Sequence, residues 1–483
     1  MFSLNRSAIR MAGVAAVMVA GFAIAQSRDI QYAMVPVGPT DSGTTVVRHA
    51  IYDWEDDVAL TAGEHLHPDG TRLAFQTWAQ DYSELRVFGG AEEVFVNDLD
   101  FDYSAEMVGS AQPGPGQPRV AVYWGPDLEP VTFRPPGTDW AEAVFVRWRI
   151  FGNARGPVTG SILRPFWTDS YQWDWLPVDG FAGIDVVVVG GEDPAQGFMA
   201  VGNALDPVAG PQGLIWPDDG GVERLQSLGG WTRVNDVSPP GVAWWSVGAA
   251  GAADGQSHAV AWLGSELVHD LHEFGPEWSS EAIAIEGQMV GSDLPGVIGY
   301  RFRESERTPV LWEYPGLAEP AIDIPSLLPP QHRWETDSSF EVTSLLRRPS
   351  QHITGAANWR GPNGRLHRRG YILVRQIPEM MLRPTHDFRA GEVNRFEVGG
   401  ALRRAYIFWS HHGGGTLVDD CPGIDDAMSL DDPRLLGSVE MRPMQNYFDF
   451  YAPPDAGRLG KIVMQAVDRD GCRVSNVVVV EFR

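Results

Sequence analysis

Several things are scarce in this 483-residue chain, and each scarcity excludes something. Lysine is nearly absent. Lys461 is the only one, so the basic side of the charge balance is almost wholly arginine. Lysine and arginine number 37 against 63 aspartates and glutamates, leaving a formal net charge of -26. A surface of that sign repels phosphate backbones and anionic lipid, which argues against nucleic acid as a partner. Long apolar runs are missing after the N-terminus; even Val186 to Val189 is hemmed by Asp185 and Gly190, so no later membrane span is expected. Cysteine is limited to Cys421 and Cys472, with no C-x-x-C and no Cys/His metal spacing. Helical periodicity and long Ala/Leu/Glu runs are absent too, which excludes a helical repeat array. There is no G-x-S-x-G elbow, no phosphate loop and no dinucleotide fingerprint, so no cofactor is expected and no catalytic residue is assigned.

What is present begins with a targeting segment over residues 1–25. Arg6 and Arg10 supply a positive start, Met11 to Ile24 an apolar stretch too short to span a bilayer comfortably, and Ala23-Ile24-Ala25 a small-residue cleavage site. The mature chain is expected to be exported and extracytoplasmic, secreted or periplasmic. In an oxidising compartment two cysteines of one small domain pair, so a Cys421–Cys472 disulfide is expected.

Abundant turn-formers follow, 54 glycines and 36 prolines, dividing short apolar runs of alternating or β-branched character. That is the strand signature. Residues 26–45 show no periodicity and read as a lead-in. Beyond them, strands ending in an aromatic recur at Trp124, Trp167, Trp216, Trp262 and Trp312, spaced 43 to 50 residues apart. A glycine recurs with a similar rhythm at Gly109, Gly152, Gly202, Gly248 and Gly291, with Gly355 a further candidate after a longer interval. The clearest unit is His258 to Ser292, with four runs: HAVAW, ELVHDL, SEAIAIE and QMVGS. Four strands in about 40 to 50 residues is the arithmetic of one β-propeller blade. Six or seven blades over 46–375 are expected, with Tyr371 to Arg375 as the strand that closes the ring. The longer last interval points to an insertion around Pro325 to Pro330.

Two resemblances attach to these residues. HPDGTRLAF, His67 to Phe75, looks like the Pro-Asp-Gly turn and strand of TolB-type, WD40-like propeller repeats. The unit at 258–292, with its His-Ala-x-x-Trp strand, Asp270-Leu271 and closing Gly287 to Gly291, resembles the HAF-type extracellular repeat, which implies a propeller and export but no agreed activity. From about Gln376 the rhythm stops. Six or seven short strands over 376–483, from NRFEVGG to SNVVVVEF, match the size of an immunoglobulin-like sandwich and resemble an accessory module of exported bacterial proteins. The fold class expected is therefore all-β, a six- or seven-bladed propeller followed by a small β-sandwich.

Candidate sites are few. Tyr171, Trp173 and Trp175 alternate with polar neighbours, so one strand face carries three aromatics, either a stacking platform for sugar rings or filling between blades. Asp98, Asp100 and Asp102 also alternate, and read as a solvated strand face and not a metal site. The pairs His65/His67, His269/His272 and His411/His412 lack H-E-x-x-H spacing and read as surface histidines. The function expected is an exported, non-catalytic binding or surface-associated protein whose propeller loops bind an extracellular glycan or protein. The alternative is a secreted polysaccharide hydrolase or lyase with an acidic pair at the propeller channel.

Overall fold

The computed structural model describes residues 31–483 apart from 39–42, 54–57, 79–80, 89–91, 102–104, 147–148, 169–172, 193–198, 218–219, 239–244, 286–295, 314–319, 347–351, 362, 377–379, 402, 417, 419–420, 422–426 and 442–446. The expected targeting segment, 1–25, lies outside the described residues. Within them regular structure is almost entirely strand, with no α-helix. The chain is an all-β protein, a propeller followed by a small β-sandwich.

Among the described residues seven four-stranded blades make the propeller, the upper of the two numbers expected, with the first two joined in one eight-stranded sheet. Their first strands are Thr44–Asp53, Glu93–Phe101, Trp140–Val146, Asp185–Glu192, Gly229–Val237, Ser279–Ile285 and Glu341–Leu346. Each runs antiparallel into its sequence neighbours, and the blades are numbered 1 to 7 in this order. Blades 1 and 2 are additionally linked by one parallel pair, Arg72 with Glu93.

The lead-in is part of the ring. Gln31–Val37 forms the fourth, outermost strand of blade 7, in register from Gln31 opposite Gln376 to Val37 opposite Gly370. Tyr32, Ala33 and Met34 are buried there, and Pro36 is tolerated because an outermost strand has no further neighbour to bond. Tyr371 to Arg375 pairs with this N-terminal strand, which closes the ring, and its Ile372 and Val374 pack with Val47 and Phe75 of blade 1, as expected of the last blade. The unit 258–292 is also cut differently. Ser257–Leu263 and Glu266–Asp270 are the third and fourth strands of blade 5, whereas Ser279–Ile285 is the first strand of blade 6. Gln288 to Ser292 lies outside the described residues.

The glycine rhythm has a local cause. Every first strand carries a register shift at one height, such as Val96/Asp98, Ala143/Phe145 or Val234/Asp236. The residue opposite, in the second strand, is Gly63, Gly109, Gly152, Gly202, Gly248, Gly299 or Gly355. A bulge bends its strand and re-aims its carbonyl. A Cβ on any of these glycines would lie 1.9 to 2.2 Å from a first-strand carbonyl oxygen. The marker therefore belongs to the second strand of each blade and not the last, Gly63 joins it, and Gly299 takes the place given to Gly291.

The tryptophans end third strands instead of leading each unit. Trp124, Trp216, Trp262 and Trp312 stand two residues beyond the residue paired with the glycine, and all four are buried. Trp216, Trp262 and Trp312 donate their indole N–H to the carbonyls of Pro177, Gln226 and Leu271 in the preceding blade. Trp167 is one residue early, so Phe166 covers Gly152 in its place.

In the sandwich, Met381–Pro384, Val393–Gly399 and Tyr447–Tyr451 form one sheet. Arg434–Glu440, Arg404–Ser410, Lys461–Asp468, Arg473–Val474 and Val478–Glu481 form the other. Leu382, Phe396, Val398, Ile407, Met464 and Ala466 fill the space between them. A hairpin of His412–Thr416 and Met428–Asp431 leaves the sandwich and lies on the propeller's closing strand. Gly413 donates its N–H to Pro330, and a Cβ on Gly415 would stand 2.5 to 2.6 Å from the Met34–Val35 backbone. Three consecutive glycines let the hairpin sit this close, over the proline-rich insertion. Arg333 of the propeller faces Asp431 at 3.3 Å; burial raises that carboxyl above its ordinary value, against the pull of Arg333.

Candidate functional site

The first strands surround the ring's axis, and a hydrolytic site there would need two carboxyl groups facing one space. The carboxylates described below are instead engaged by arginines or amides. Glu341 of blade 7 meets Arg368 at 2.5 Å and Arg48 of blade 1 at 3.4 Å, and Arg48 and Arg72 both reach Glu64 at 3.4 Å. Arg72 and Arg119 lie on the Phe95 ring, 5.4 and 4.3 Å from its centre, and Arg119 faces Glu142 of blade 3 at 3.6 Å. Burial raises the Glu142 carboxyl above its ordinary value, while the Asn153 amide and Arg119 pull it back. Across the ring Arg233 and Asn235 of blade 5 both hold Glu281 of blade 6.

Neutral groups complete the joints between blades. In the two copies of Val-Asn-Asp, Asn97 and Asn235 donate to the carbonyls of Ala143 and Ala282 in the next blade. The adjoining Asp98 and Asp236 accept the amides of Val146 and Ile285. Asn153 and Asn203, each just after the blade glycine, exchange two hydrogen bonds with Val188 and Val234. Tyr300 does the same with Val342 through one hydroxyl, and Thr343 donates to Val47, joining blade 7 to blade 1. Solvent-facing pairs contribute about 1 kcal/mol or less each; buried clips of this kind fix register as much as they add stability. The solvated-face reading of Asp98 therefore fails. It is buried, 8% exposed, because the bulge turns it toward blade 3. Asp102 lies outside the described residues. The doubled Val-Asn-Asp was the available sequence signal for these clips.

The aromatic face is placed on an edge. Trp173–Trp175 is the outermost strand of blade 3, and Tyr171 lies outside the described residues. Trp173 and Trp175 are 37% and 36% exposed, unlike the buried tryptophans of the third strands. Trp173 leans on Phe133 of blade 2 and Phe166 of blade 3, both at 5.5 Å between ring centres, and Trp175 meets Phe166 edge-on at 6.3 Å. Asp174 between them accepts the Trp175 backbone amide at 2.8 Å. The two indoles thus fill the outer end of the joint between blades 2 and 3 while keeping open ring surface. Filling between blades therefore describes part of this strand, and the remaining ring surface is open to solvent.

Of the paired histidines only His65 is buried; His411 is exposed and the others are half-buried. His65 is fully buried against Thr45 at 2.9 Å, and His67 faces Glu84 at 3.0 Å. His412 meets the Gln331 carbonyl at 3.1 Å within the contact between hairpin and propeller. His258, missed as a site residue, lies between Asp270 at 2.8 Å and Asp254 at 3.1 Å and stacks on His272 at 4.1 Å. Burial lowers the His272 imidazole, and His258 lowers it further. Both His258 nitrogens are occupied by carboxylates, so the cluster does not present a ligand set, and among the described residues no group is arranged to hold a metal ion. Cys421 and Cys472 form the expected disulfide, with Cα atoms 5.6 Å apart, in a small core with Phe408, Leu430 and Val463.

No family model and no curated protein sequence matches the chain, so the HAF-type resemblance has no support beyond the residues quoted for it. Among solved structures it is similar to the β-propeller domain of the Trilobed protease from Pyrococcus furiosus. That match has 10% identity, covers 67% of this chain and 97% of that one, and has a TM-score of 0.38. A puromycin-hydrolyzing peptidase of Mycobacterium tuberculosis is similar at 10% identity over 76% of this chain and 60% of its own, with a TM-score of 0.44. A neuraminidase-like protein of subtype N11, from A/flat-faced bat/Peru/033/2010, is similar at 8% identity over 71% of this chain and 94% of that chain, with a TM-score of 0.35. With TM-scores below 0.5 these likenesses add no argument, and the propeller rests on the sheets of the chain itself.

Proposed function

We propose that this chain is an exported, non-catalytic binding protein, and that Trp173 and Trp175 on the outer edge of blade 3 contact its ligand, a glycan or a protein. The observation that carries the reading is the contrast between those two indoles and the rest of the ring. Trp124, Trp216, Trp262 and Trp312 are buried, Trp167 is half-buried and the carboxylates around the axis hold arginines or amides, whereas these two rings keep a third of their surface in water. Exposed Trp side chains combine large apolar faces with a donor and little rotamer entropy, which is why they dominate binding hot spots. Propeller loops offer further variable contacts on a rigid frame. Export is supported by the disulfide, which persists in oxidising compartments. No helix among the described residues is long and apolar enough to cross a membrane. A glycan array and an exported-protein array, probed with the wild type and with Trp173→Ala/Trp175→Ala, test the reading. Saturable signals that fall on the order of tenfold in the variant support it; signals of equal strength in both proteins remove the indoles from the site.

A further inference from the structure

The strand Tyr447–Tyr451 in the sandwich repeats the alternation seen in blade 3, and its outward residues have no task inside the fold. Phe448 and Phe450 point inward, where Phe396, Phe448 and Phe450 stack in one aromatic layer. Tyr447, Asp449 and Tyr451 point outward, 38% exposed at Tyr447 and 59% at Tyr451. On the same face the neighbouring strands place Val393 opposite Tyr451, Arg395 opposite Asp449, Glu397 opposite Tyr447 and Arg383 beside Glu397. The polar groups pair with one another. Arg395 binds Asp449 through two hydrogen bonds of 2.6 and 2.7 Å, and Arg383 meets Glu397 at 2.5 Å. The Arg395 guanidinium also rests against the Tyr447 ring, 5.1 Å from its centre, which fixes the plane of that ring.

We infer that this outer face binds an uncharged glycan chain, with Tyr447 and Tyr451 stacking on sugar rings and the Arg395–Asp449 pair between them meeting hydroxyls. Three features select that ligand. The first is charge: two arginines face two carboxylates, so the face is formally neutral on a chain of net charge -26. An ionic ligand would have to break one of these pairs, whereas hydroxyls bond to the lone pairs and protons that the pairs leave outward. The second is reach. Four residues of strand separate the tyrosines by about 14 Å, a span that a chain of sugars covers and a single sugar does not. The third is area. Three strands about 4.8 Å apart and four to seven residues long expose roughly 260 Å², well under the ~800 Å² per partner of a stable protein interface. The C–H faces of pyranose rings are apolar and flat while their rims carry hydroxyls, and alternating tyrosines with a polar pair between them match that pattern. This surface lies on a different sheet from the blade 3 edge, and the inference does not rest on the role proposed for Trp173 and Trp175.

The test is affinity electrophoresis of the full-length protein in gels containing soluble neutral polysaccharides (hydroxyethyl cellulose, xylan, glucomannan, amylose) or charged ones (polygalacturonate, heparin). Calorimetry with the matching hexasaccharide and monosaccharide accompanies it. The expected result is retardation by at least one neutral polymer, with affinity for its hexasaccharide and none for its monosaccharide. Tyr447→Ala/Tyr451→Ala should weaken binding on the order of tenfold or more, while Tyr447→Phe/Tyr451→Phe retains it, since stacking needs the ring and not the hydroxyl. Trp173→Ala/Trp175→Ala is run beside it: loss of retardation with the tyrosines replaced assigns the polymer to this face, whereas loss only with the tryptophans replaced assigns it to blade 3, which separates failure here from failure of the blade 3 reading. The inference is overturned by retardation in no neutral polymer, by binding of charged polymers only, or by undiminished binding in the tyrosine-to-alanine variant. Sedimentation showing a dimer that the alanine variant dissolves would overturn it too, by assigning the face to a second copy of the chain.

Discussion

The substitution Gly248→Ala tests the reason given for the blade rhythm. The added Cβ would meet the Arg233 carbonyl oxygen at 1.9 Å, its carbon at 2.9 Å and the Val234 Cα at 2.9 Å. Carbon atoms in contact sit about 3.5 to 4 Å apart, and all three obstacles are backbone, so no side chain can swing away. Overpacking of this kind costs about 1–3 kcal/mol. Val234 also exchanges two hydrogen bonds with Asn203 of blade 4, and a shift of the bulge risks about 1 kcal/mol for each. The entropic gain of alanine over glycine in the unfolded chain, about 0.4–1 kcal/mol, opposes this. A net loss of about 2–4 kcal/mol is expected, read as a lowered urea midpoint by tryptophan fluorescence. Gly114→Ala is the control, because its Cβ would find nothing nearer than Gln117 at 4.0 Å; it should stay within about 0.5 kcal/mol of the wild type. Equal midpoints for Gly248→Ala and the wild type would refute the carbonyl-contact account of the glycine.

Other expected outcomes follow from the same geometry. Met34→Ala, in the strand that closes the ring, removes a fully buried side chain and should cost about 2–5 kcal/mol in the propeller's urea transition. Gly415→Ala should lift the hairpin from the Met34–Val35 backbone, so limited proteolysis should release a C-terminal fragment faster from the variant than from the wild type. Removing the disulfide with Cys421→Ser/Cys472→Ser opens a loop of sequence separation 51 and should lower the sandwich's stability by about 4 kcal/mol in the chain-entropy treatment, seen by differential scanning calorimetry. Glu142 has a folded-state pKa above its ordinary value through burial, so the native state holds its proton more tightly than the unfolded chain does. The wild type should therefore gain stability relative to Glu142→Gln as pH falls through the folded-state pKa toward the ordinary carboxylate value, and lose that gain as pH rises; paired denaturation curves across that range read the difference.

Much of the fold was legible because two local contacts repeat. A glycine under a bulged carbonyl is demanded by each blade separately, and a tryptophan near the end of the third strand recurs in blades 2 to 6, so both leave a period in the sequence. A period fixes spacing but not phase, which is why the unit at 258–292 straddles blades 5 and 6. Gly291 entered the rhythm at the expense of Gly299 because both follow an apolar run, and only the register with Ala282 tells them apart. Gln31–Val37 was illegible for a different reason: its partner lies more than three hundred residues away, and a strand around Pro36 has little local signature. At the candidate sites the alternation of Trp173 and Trp175 was visible, but not that Phe133 and Phe166 half-cover Trp173. Asp98 looked solvated because alternation assumes a regular pleat, and a bulge breaks that assumption at that residue. The same alternation at Tyr447, Asp449 and Tyr451 was readable only as a strand until the inward phenylalanines separated core from surface.

The role proposed for this chain is to bind a ligand without turning it over. The direct measurement is to incubate the wild type at saturating concentration with any polysaccharide that retards it and to follow reducing-end release and unsaturated products alongside bound fraction. Saturable binding with product at the level of a protein-free control is the predicted result. Product that accumulates in proportion to protein, and vanishes on Glu142→Gln or Glu281→Gln, would contradict it and place a hydrolase or lyase at the ring's axis.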